Sequence, residues 1–303
     1  MPNSIILVPP LALRARYPLA MPRLCTVGHV TIGPSRPLAI IAGPCVLESL
    51  DMGLAIGTRL RDACAALGLA YVFKASFDKA NRSSIRSPRG PGLERGLSWM
   101  HTIREKLGTP LTTDIHTPEQ AEPAAAVVDL LQIPAFLCRQ TDLLCAAGEG
   151  AAKHGRGVNV KKGQFLAPHE MTGPARKLAE AGCTNIMLTE RGTTFGYGRL
   201  VNDFLGLGDL MDLKADGGPP PVCFDVTHST QLPGAGETTG GRPDRGPLLA
   251  KAATAAGVHA LFIETHPDPA KAMSDASTML PLESVPALLG AISRIRAAVE
   301  PRA

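Results

Sequence analysis

Aromatic side chains are scarce in this chain, at 4% of its 303 residues with a single tryptophan. A protein that grips nucleic acid needs stacking rings and a strong basic excess. Here 31 basic residues face 27 acidic ones, for a net charge of +4, so no nucleic-acid partner is expected. Cys-x-x-Cys pairs are also missing. The seven cysteines (25, 45, 64, 138, 145, 183 and 223) are odd in number and irregularly spaced. That excludes a disulfide framework and points to a reducing, cytoplasmic setting. No stretch is apolar and uncharged for long enough to span a bilayer, so no membrane partner is expected. The first 20 residues are apolar but carry four prolines, and Arg14 follows their apolar run, whereas a secretory signal puts its charge before it. Finally, no Gly-x-Gly-x-x-Gly follows the first predicted strand, which weakens a dinucleotide fold.

What is present is an alternation. Short apolar, β-rich runs lie near 38–42, 70–75, 110–113, 129–133, 157–160, 185–188, 221–225 and 260–263. Between and after them come Ala/Leu-rich helical patterns near 49–67, 93–107, 142–154, 171–181, 247–256 and 285–299. Strands alternating with helices predict a parallel sheet, and at this length a closed (β/α)8 TIM barrel of the α/β class. An open doubly wound sheet is the alternative. Residues 1–35 are expected to be a poorly structured N-terminal extension, and residues 36–303 a single barrel carrying the catalytic site.

The polar residues gather at one end of the predicted strands. Cys45, Lys74, Asp114 with His116, Gln132, Lys161, Arg191, His228 and Glu264 fall in turn at or near the C-terminal ends of the eight runs. In a barrel those ends converge on one mouth, where active sites sit. Beyond the second run comes Lys79-Ala80-Asn81-Arg82-Ser83-Ser84. Lysine brings point charge, arginine a planar fork for phosphate oxygens, and asparagine and serine neutral hydrogen bonds. Lys74, Lys79, Arg82, Lys161 and Arg191 at one mouth would repel one another unless anions bind there. Their number suits a ligand with both carboxylate and phosphate, and a second phosphorylated ligand.

A second group is Cys45, His228, Glu264 and Asp275. Thiolate, imidazole and carboxylates together suit a divalent Zn²⁺, Fe²⁺, Co²⁺ or Mn²⁺ ion better than Mg²⁺ or Ca²⁺. From the residues alone a cysteine such as Cys45 is more often plain core packing, and His228 is equally readable as a general acid or base, with Asp114 and His116 as another such pair. The glycine- and proline-rich stretch 229–246 reads as a lid or as plain disorder.

Several ordered motifs carry a family resemblance. They are Ile-Ala-Gly-Pro-Cys-Val-Leu-Glu-Ser at 41–49, the Lys-Ala-Asn-Arg-Ser-Ser stretch, Thr-Asp-Ile-His at 113–116, Gln-Ile-Pro-Ala-Phe-Leu-Cys-Arg-Gln at 132–140, and Asn-Val-Lys-Lys-Gly-Gln-Phe at 159–165. Further along come Glu-Arg-Gly-Thr-Thr-Phe-Gly-Tyr at 190–197, Asp-Val-Thr-His at 225–228, Gln-Leu-Pro-Gly at 231–234 and Ile-Glu-Thr-His-Pro at 263–267. Together they resemble the 3-deoxy-D-manno-octulosonate-8-phosphate synthases, also called 2-dehydro-3-deoxyphosphooctonate aldolases, over about residues 37–298. Ala80-Asn81-Arg82-Ser83 separates that family from the seven-carbon synthases, which resemble Lys-Pro-Arg-Thr there.

The resemblance implies a homotetrameric TIM barrel that condenses phosphoenolpyruvate, D-arabinose 5-phosphate and water, for lipopolysaccharide biosynthesis. It implies that Lys74, Lys79, Gln132, Lys161 and Arg191 hold phosphoenolpyruvate. Asn81, Arg82 and Ser83 would take the sugar phosphate, with Phe136 shaping its site. Cys45 matches the metal-dependent branch of the family, whose other branch has Asn there. Lys79, His228, Asp114 and His116 are then the candidate catalytic groups. The chain departs from the family pattern at Gly198-Arg199, and at Gly240-Gly241-Arg242-Pro243-Asp244-Arg245, where a basic residue is moved and an aromatic is lost.

Overall fold

The computed structural model describes residues 22–80, 88–234 and 240–299. The chain enters through β1 (Cys25–Val27) and β2 (Val30–Ile32). Seven parallel strands follow: β3 (Ala39–Gly43), β4 (Ala70–Lys74), β5 (Leu111–Asp114), β6 (Leu130–Ile133), β7 (Gly157–Lys161), β8 (Ile186–Glu190) and β9 (Val222–Asp225). A small antiparallel pair comes next, β10 (Gln231–Leu232) with β11 (Gly240–Gly241). Then come the eighth barrel strand, β12 (Ala260–His266), and the short β13 (Leu280–Pro281) beside it. β12 pairs with both β9 and β3, and that double pairing closes the barrel.

The outer layer is α1 (Leu50–Ala65), α2 (Leu93–Leu107), α3 (Ala121–Val127), α4 (Thr141–His154), α5 (Thr172–Glu180), α6 (Phe204–Met211), α7 (Gly246–Ala256) and α8 (Val285–Val299). The predicted strands all appear within a few residues of their expected places. α3 and α6 were not anticipated. They span two turns or so, too short for a helical period to stand out, and α6 depends on Asp203, whose side chain accepts the Leu205 N–H at 3.0 Å.

Residues 1–21 lie outside the described residues, but the expected lack of structure does not extend to residue 35. Apolar residues at 25, 27, 30 and 32 alternate with threonines, and Gly28 takes φ +57 at the first turn position. Cys25, Val27, Val30 and Ile32 pack with Ile41, Val72, Leu130, Met187, Cys223 and Phe262 in one cluster. The hairpin thus plugs the barrel from below. Asn185 secures it, accepting from Thr26 N at 2.8 Å and donating to Thr26 O at 2.7 Å.

The two-residue period of a strand positions the site. On β4, Ala70 and Val72 belong to that inner cluster and Lys74 stands one step higher. On β12 the same ladder reads Ala260, Phe262, Glu264. Apolar rungs fill the lower barrel and polar rungs the upper one, with the Phe262 ring as the boundary: Lys161 Nζ lies 3.6 Å from its centroid.

Candidate active site

A cavity of about 620 Å³ opens at the C-terminal ends of the strands. Its wall includes Lys74, Lys79, Asp114, His116, Gln132, Phe136, Lys161, Arg191, His228, Glu264 and Asp275. Cys45 adjoins it through Asp275. Asn81, Arg82 and Ser83 lie outside the described residues. Most candidates are buried, but Phe136 is exposed at the rim.

The cations do not face one another unopposed. Lys74 donates to Glu264 and to the carbonyls of Cys45 (2.8 Å) and Pro44 (3.2 Å). Lys161 Nζ lies 2.6 Å from Asp225 Oδ2. Lys79 donates to Ser76 Oγ at 2.9 Å, and Ser76 donates to Asp114. Arg191 donates to Gln231 Oε1, yet its buried Nη1 has no partner among the described residues. Resident carboxylates therefore offset much of the positive charge, which tempers the count of anions drawn from the cations alone. A buried ion pair roughly breaks even against apolar residues of the same volume, so stability does not account for so many of them.

These pairings set the protonation states. Burial opposes charge on Lys79, but Cys45, Glu264, Asp114 and Asp275 around it hold its pKa well above the ordinary range. Burial also opposes charge on Asp225, and His228 and Lys161 overcome it, so the carboxylate stays ionised. His228 is raised in turn: Asp225 and Glu264 outweigh burial and Lys161. Asp114 Oδ2 lies 3.1 Å from His116 Nε2, and Lys79 and His116 hold Asp114 well below the usual carboxylate range despite its burial.

Cys45, Glu264 and Asp275 bring ligand atoms within 4.8 Å of one another. The Cys45 thiol donates to Asp275 Oδ2 at 2.9 Å. Burial, reinforced by Asp275 and Glu264, pushes that thiol well above its ordinary range, so it keeps its proton unless a cation is near. Glu264 gives Oε1 to Lys74, while its Oε2 is buried without a hydrogen-bond partner among the described residues. His228 Nε2 lies 3.8 Å from Glu264 Oε2 and 3.9 Å from Asp275 Oδ2. Its other nitrogen, Nδ1, is tied to Asp225 at 2.8 Å, the carboxylate anchor common behind metal-binding imidazoles. An orphaned carboxylate oxygen, a thiol and an aimed imidazole fit a divalent cation.

The sequence places Ser76 and Asp225 at strand ends without assigning them a role in the site, and it does not single out Asn159. Asp225 could have been found from its spacing to His228, which puts the two on one turn; its contact with Lys161 could not. Near the mouth, β10 and β11 give the base of the 229–246 stretch a regular structure, and residues 235–239 lie outside the described residues. The moved Arg242 forks onto Asp244 with two 2.8 Å bonds at the surface.

A family model described as the DAHP synthetase I family matches residues 16–298. Similar proteins include three named 2-dehydro-3-deoxyphosphooctonate aldolase. The one from Nitratidesulfovibrio vulgaris (strain DP4) is 53% identical over 84% of this chain and 91% of its own length. The one from Pelobacter propionicus is 49% identical over 92% of this chain and 100% of its own length. The one from Brucella ovis is 51% identical over 87% and 92%.

Proposed function

The chain belongs to the DAHP synthetase I family, and within it we propose the activity for which those relatives are named: condensation of phosphoenolpyruvate with D-arabinose 5-phosphate and water. The products are 3-deoxy-D-manno-octulosonate 8-phosphate and inorganic phosphate, on the route to lipopolysaccharide. The observation that carries this reading is the cavity, where Lys74, Lys79, Lys161, Arg191 and Gln132 surround the Cys45–Glu264–Asp275 cluster.

In this reading Lys79, Lys161 and Arg191, with Lys74 and Gln132, hold the carboxylate and phosphate of phosphoenolpyruvate. The unpartnered Arg191 Nη1 supplies a donor for that anion. Asn81, Arg82 and Ser83 take the phosphate of the sugar, and Phe136 at the rim bounds its path. C3 of phosphoenolpyruvate forms a bond to the aldehyde carbon, whose oxygen gains a proton. Water adds at C2 and gives up a proton. The C2 hydroxyl then becomes the keto group and gives up its remaining proton as the bond from C2 to the phosphate-bearing oxygen breaks, and inorganic phosphate leaves with that oxygen. Lys79, charged and close to Asp114, is placed to donate a proton and the Asp114–His116 pair to accept one, while His228, with Nδ1 tied to Asp225 and Nε2 turned to the cluster, serves as a cluster ligand rather than a base. A divalent ion held by Cys45, Glu264, Asp275 and His228 would act as a Lewis acid, polarising the aldehyde or a water.

Among the described residues no helix is long and apolar enough to cross a membrane. All seven cysteines are free, which supports a cytoplasmic setting. Phe195 and Tyr197 (each 98% exposed), in the segment after β8, and Leu205 (85%), at the start of α6, are apolar side chains open to solvent, in keeping with a homotetramer.

The test is phosphate release from phosphoenolpyruvate with arabinose 5-phosphate and, separately, erythrose 4-phosphate, with the product mass read in each case. Turnover with the five-carbon sugar to an eight-carbon acid is expected. A preference for the four-carbon sugar would assign the seven-carbon reaction instead, and no release with either sugar would overturn the proposal.

A further inference from the structure

Glu48 does not line the cavity. It lies three residues beyond Cys45, in the segment that joins β3 to α1, and its side chain reaches the other segment that carries a cluster member. Glu48 Oε1 accepts the Met273 N–H at 2.9 Å. The same oxygen lies 3.6 Å from His266 Nε2. His266 Nδ1 accepts the Asp268 N–H at 2.9 Å, so the ring proton sits on Nε2, facing Glu48.

Met273 precedes Asp275 by two residues, and Asp275 holds φ +51, a left-handed conformation that non-glycine residues enter mainly under constraint. On its C-terminal side that constraint is plain. The Asp275 carbonyl accepts Thr278 N at 3.0 Å, Thr278 Oγ1 at 3.1 Å and Met279 N at 3.3 Å. On the N-terminal side the Met273 side chain is 45% exposed and gives little anchorage. The bond from Met273 N to Glu48 supplies it.

We infer that Glu48 is a positioning residue: it clasps the segment after β12 to the segment after β3 and so sets the Asp275 carboxylate against Cys45 and Glu264. Its effect is on how tightly the site takes a divalent cation. The inference rests on the metal reading above.

The experiment measures Zn²⁺ and Co²⁺ affinity of the full chain by competition with a chromophoric chelator. Glu48→Ala is expected to bind Zn²⁺ about 10–100-fold more weakly, the usual cost of losing an outer anchor. Glu48→Gln keeps an oxygen for the Met273 N–H and is expected to recover most of that loss. The Co²⁺ thiolate absorption, which reports Cys45, should weaken in Glu48→Ala in step with occupancy. Should Glu48→Ala fail to fold, Glu48→Asp, which keeps the charge but shortens the reach, carries the same expectation. Wild-type affinity in Glu48→Ala, or in Glu48→Asp as its substitute, overturns the clasp and leaves the metal reading intact. So does a Glu48→Gln as weak as Glu48→Ala, since charge rather than the clasp would then be at work. A wild-type chain that binds neither metal overturns the metal reading, and the clasp with it.

Discussion

Asn159 Nδ2 donates to Gln132 Oε1 at 3.2 Å, deep between β6 and β7. Thr189 Oγ1 on β8 donates in turn to Asn159 Oδ1 at 2.7 Å. With Thr189 giving its proton to the Asn159 oxygen, the Asn159 amide offers its NH₂ to the Gln132 oxygen. Gln132 is then left with its own NH₂ for the cavity, the half of the amide that suits an anion. Asn159→Asp has no donor to give, so Gln132 should turn over and present its oxygen to the ligand. We expect the KM for phosphoenolpyruvate to rise about ten-fold or more, the worth of one hydrogen bond to a charged group, with a smaller change for arabinose 5-phosphate. Asn159→Leu removes the partner without adding charge and should fall between. Steady-state kinetics that show both variants matching wild type would remove Asn159 from the site.

How legible each site residue is in the sequence depends on what fixes its role. Lys74 closes an apolar run, and a lysine there has few reasons beyond chemistry, so it is legible locally. Its ion-pair partner Glu264 is 190 positions away, and that pairing follows only from barrel closure, which makes β3 and then β12 the near neighbours of β4. Asp225 shows the same limit, since it serves Lys161 and His228 together only once β7, β8 and β9 lie side by side. The eight strands were readable because each is a short apolar run between helices. The hairpin at 25–32 was hidden by the proline-rich residues before it, although its alternation of apolar residues with threonine carried the signal. Asn159 reads as one polar residue in a buried strand, and its role is set by neighbours on two other strands.

Gly43 ends β3 against the backbone of β4. A Cβ at this position would lie 1.9 Å from the Lys74 carbonyl oxygen and 3.0 Å from its carbon. These are backbone atoms, so no rotamer change relieves the clash, and β3 and β4 must part where Lys74 is held. Gly43→Ala should cost about 3 kcal/mol, the upper end for overpacking, and should weaken phosphoenolpyruvate binding as Lys74 moves. Urea denaturation at fixed protein concentration checks the first expectation and ligand titration the second. A variant as stable as wild type would show that the strands yield more easily than this packing implies.

Removing metal should remove activity. The cluster holds an orphaned carboxylate oxygen on Glu264 and a thiol that burial keeps protonated, and both are resolved by a bound cation. Protein stripped with a strong chelator, and shown metal-free by elemental analysis, should release no phosphate. Adding back Zn²⁺, Fe²⁺, Co²⁺ or Mn²⁺ should restore turnover to different extents, because the four ions differ in their preference for thiolate and carboxylate ligands. Cys45→Ala should bind metal poorly and stay inactive after add-back. Full-rate turnover by the stripped enzyme would return Cys45 to a packing role.

At the opposite end of the barrel, His259 links β9 to β12. Its N–H donates to Val222 O at 2.9 Å, and its Nδ1 accepts the Val222 N–H at 2.9 Å. Burial, with the Arg296 guanidinium nearby, lowers its pKa from 6.5 to about 4. Protonation at Nδ1 would leave the Val222 N–H without its acceptor. The folded chain therefore resists a proton that the unfolded chain accepts, and between pH 6.5 and 4 the unfolded state binds more protons. The contribution is fully present above the unfolded value, shrinks as pH falls through that window, and is gone below about 4. From the size of the shift it amounts to about 3 kcal/mol. His259→Asn keeps an acceptor for Val222 but does not titrate, so its stability should fall less over the same window. Urea midpoints measured at a series of pH values for both proteins, at one protein concentration, give the comparison. Curves that converge toward pH 4 support this assignment, and curves that run parallel from pH 7 to 4 would show that His259 takes up its proton as readily in the fold as outside it.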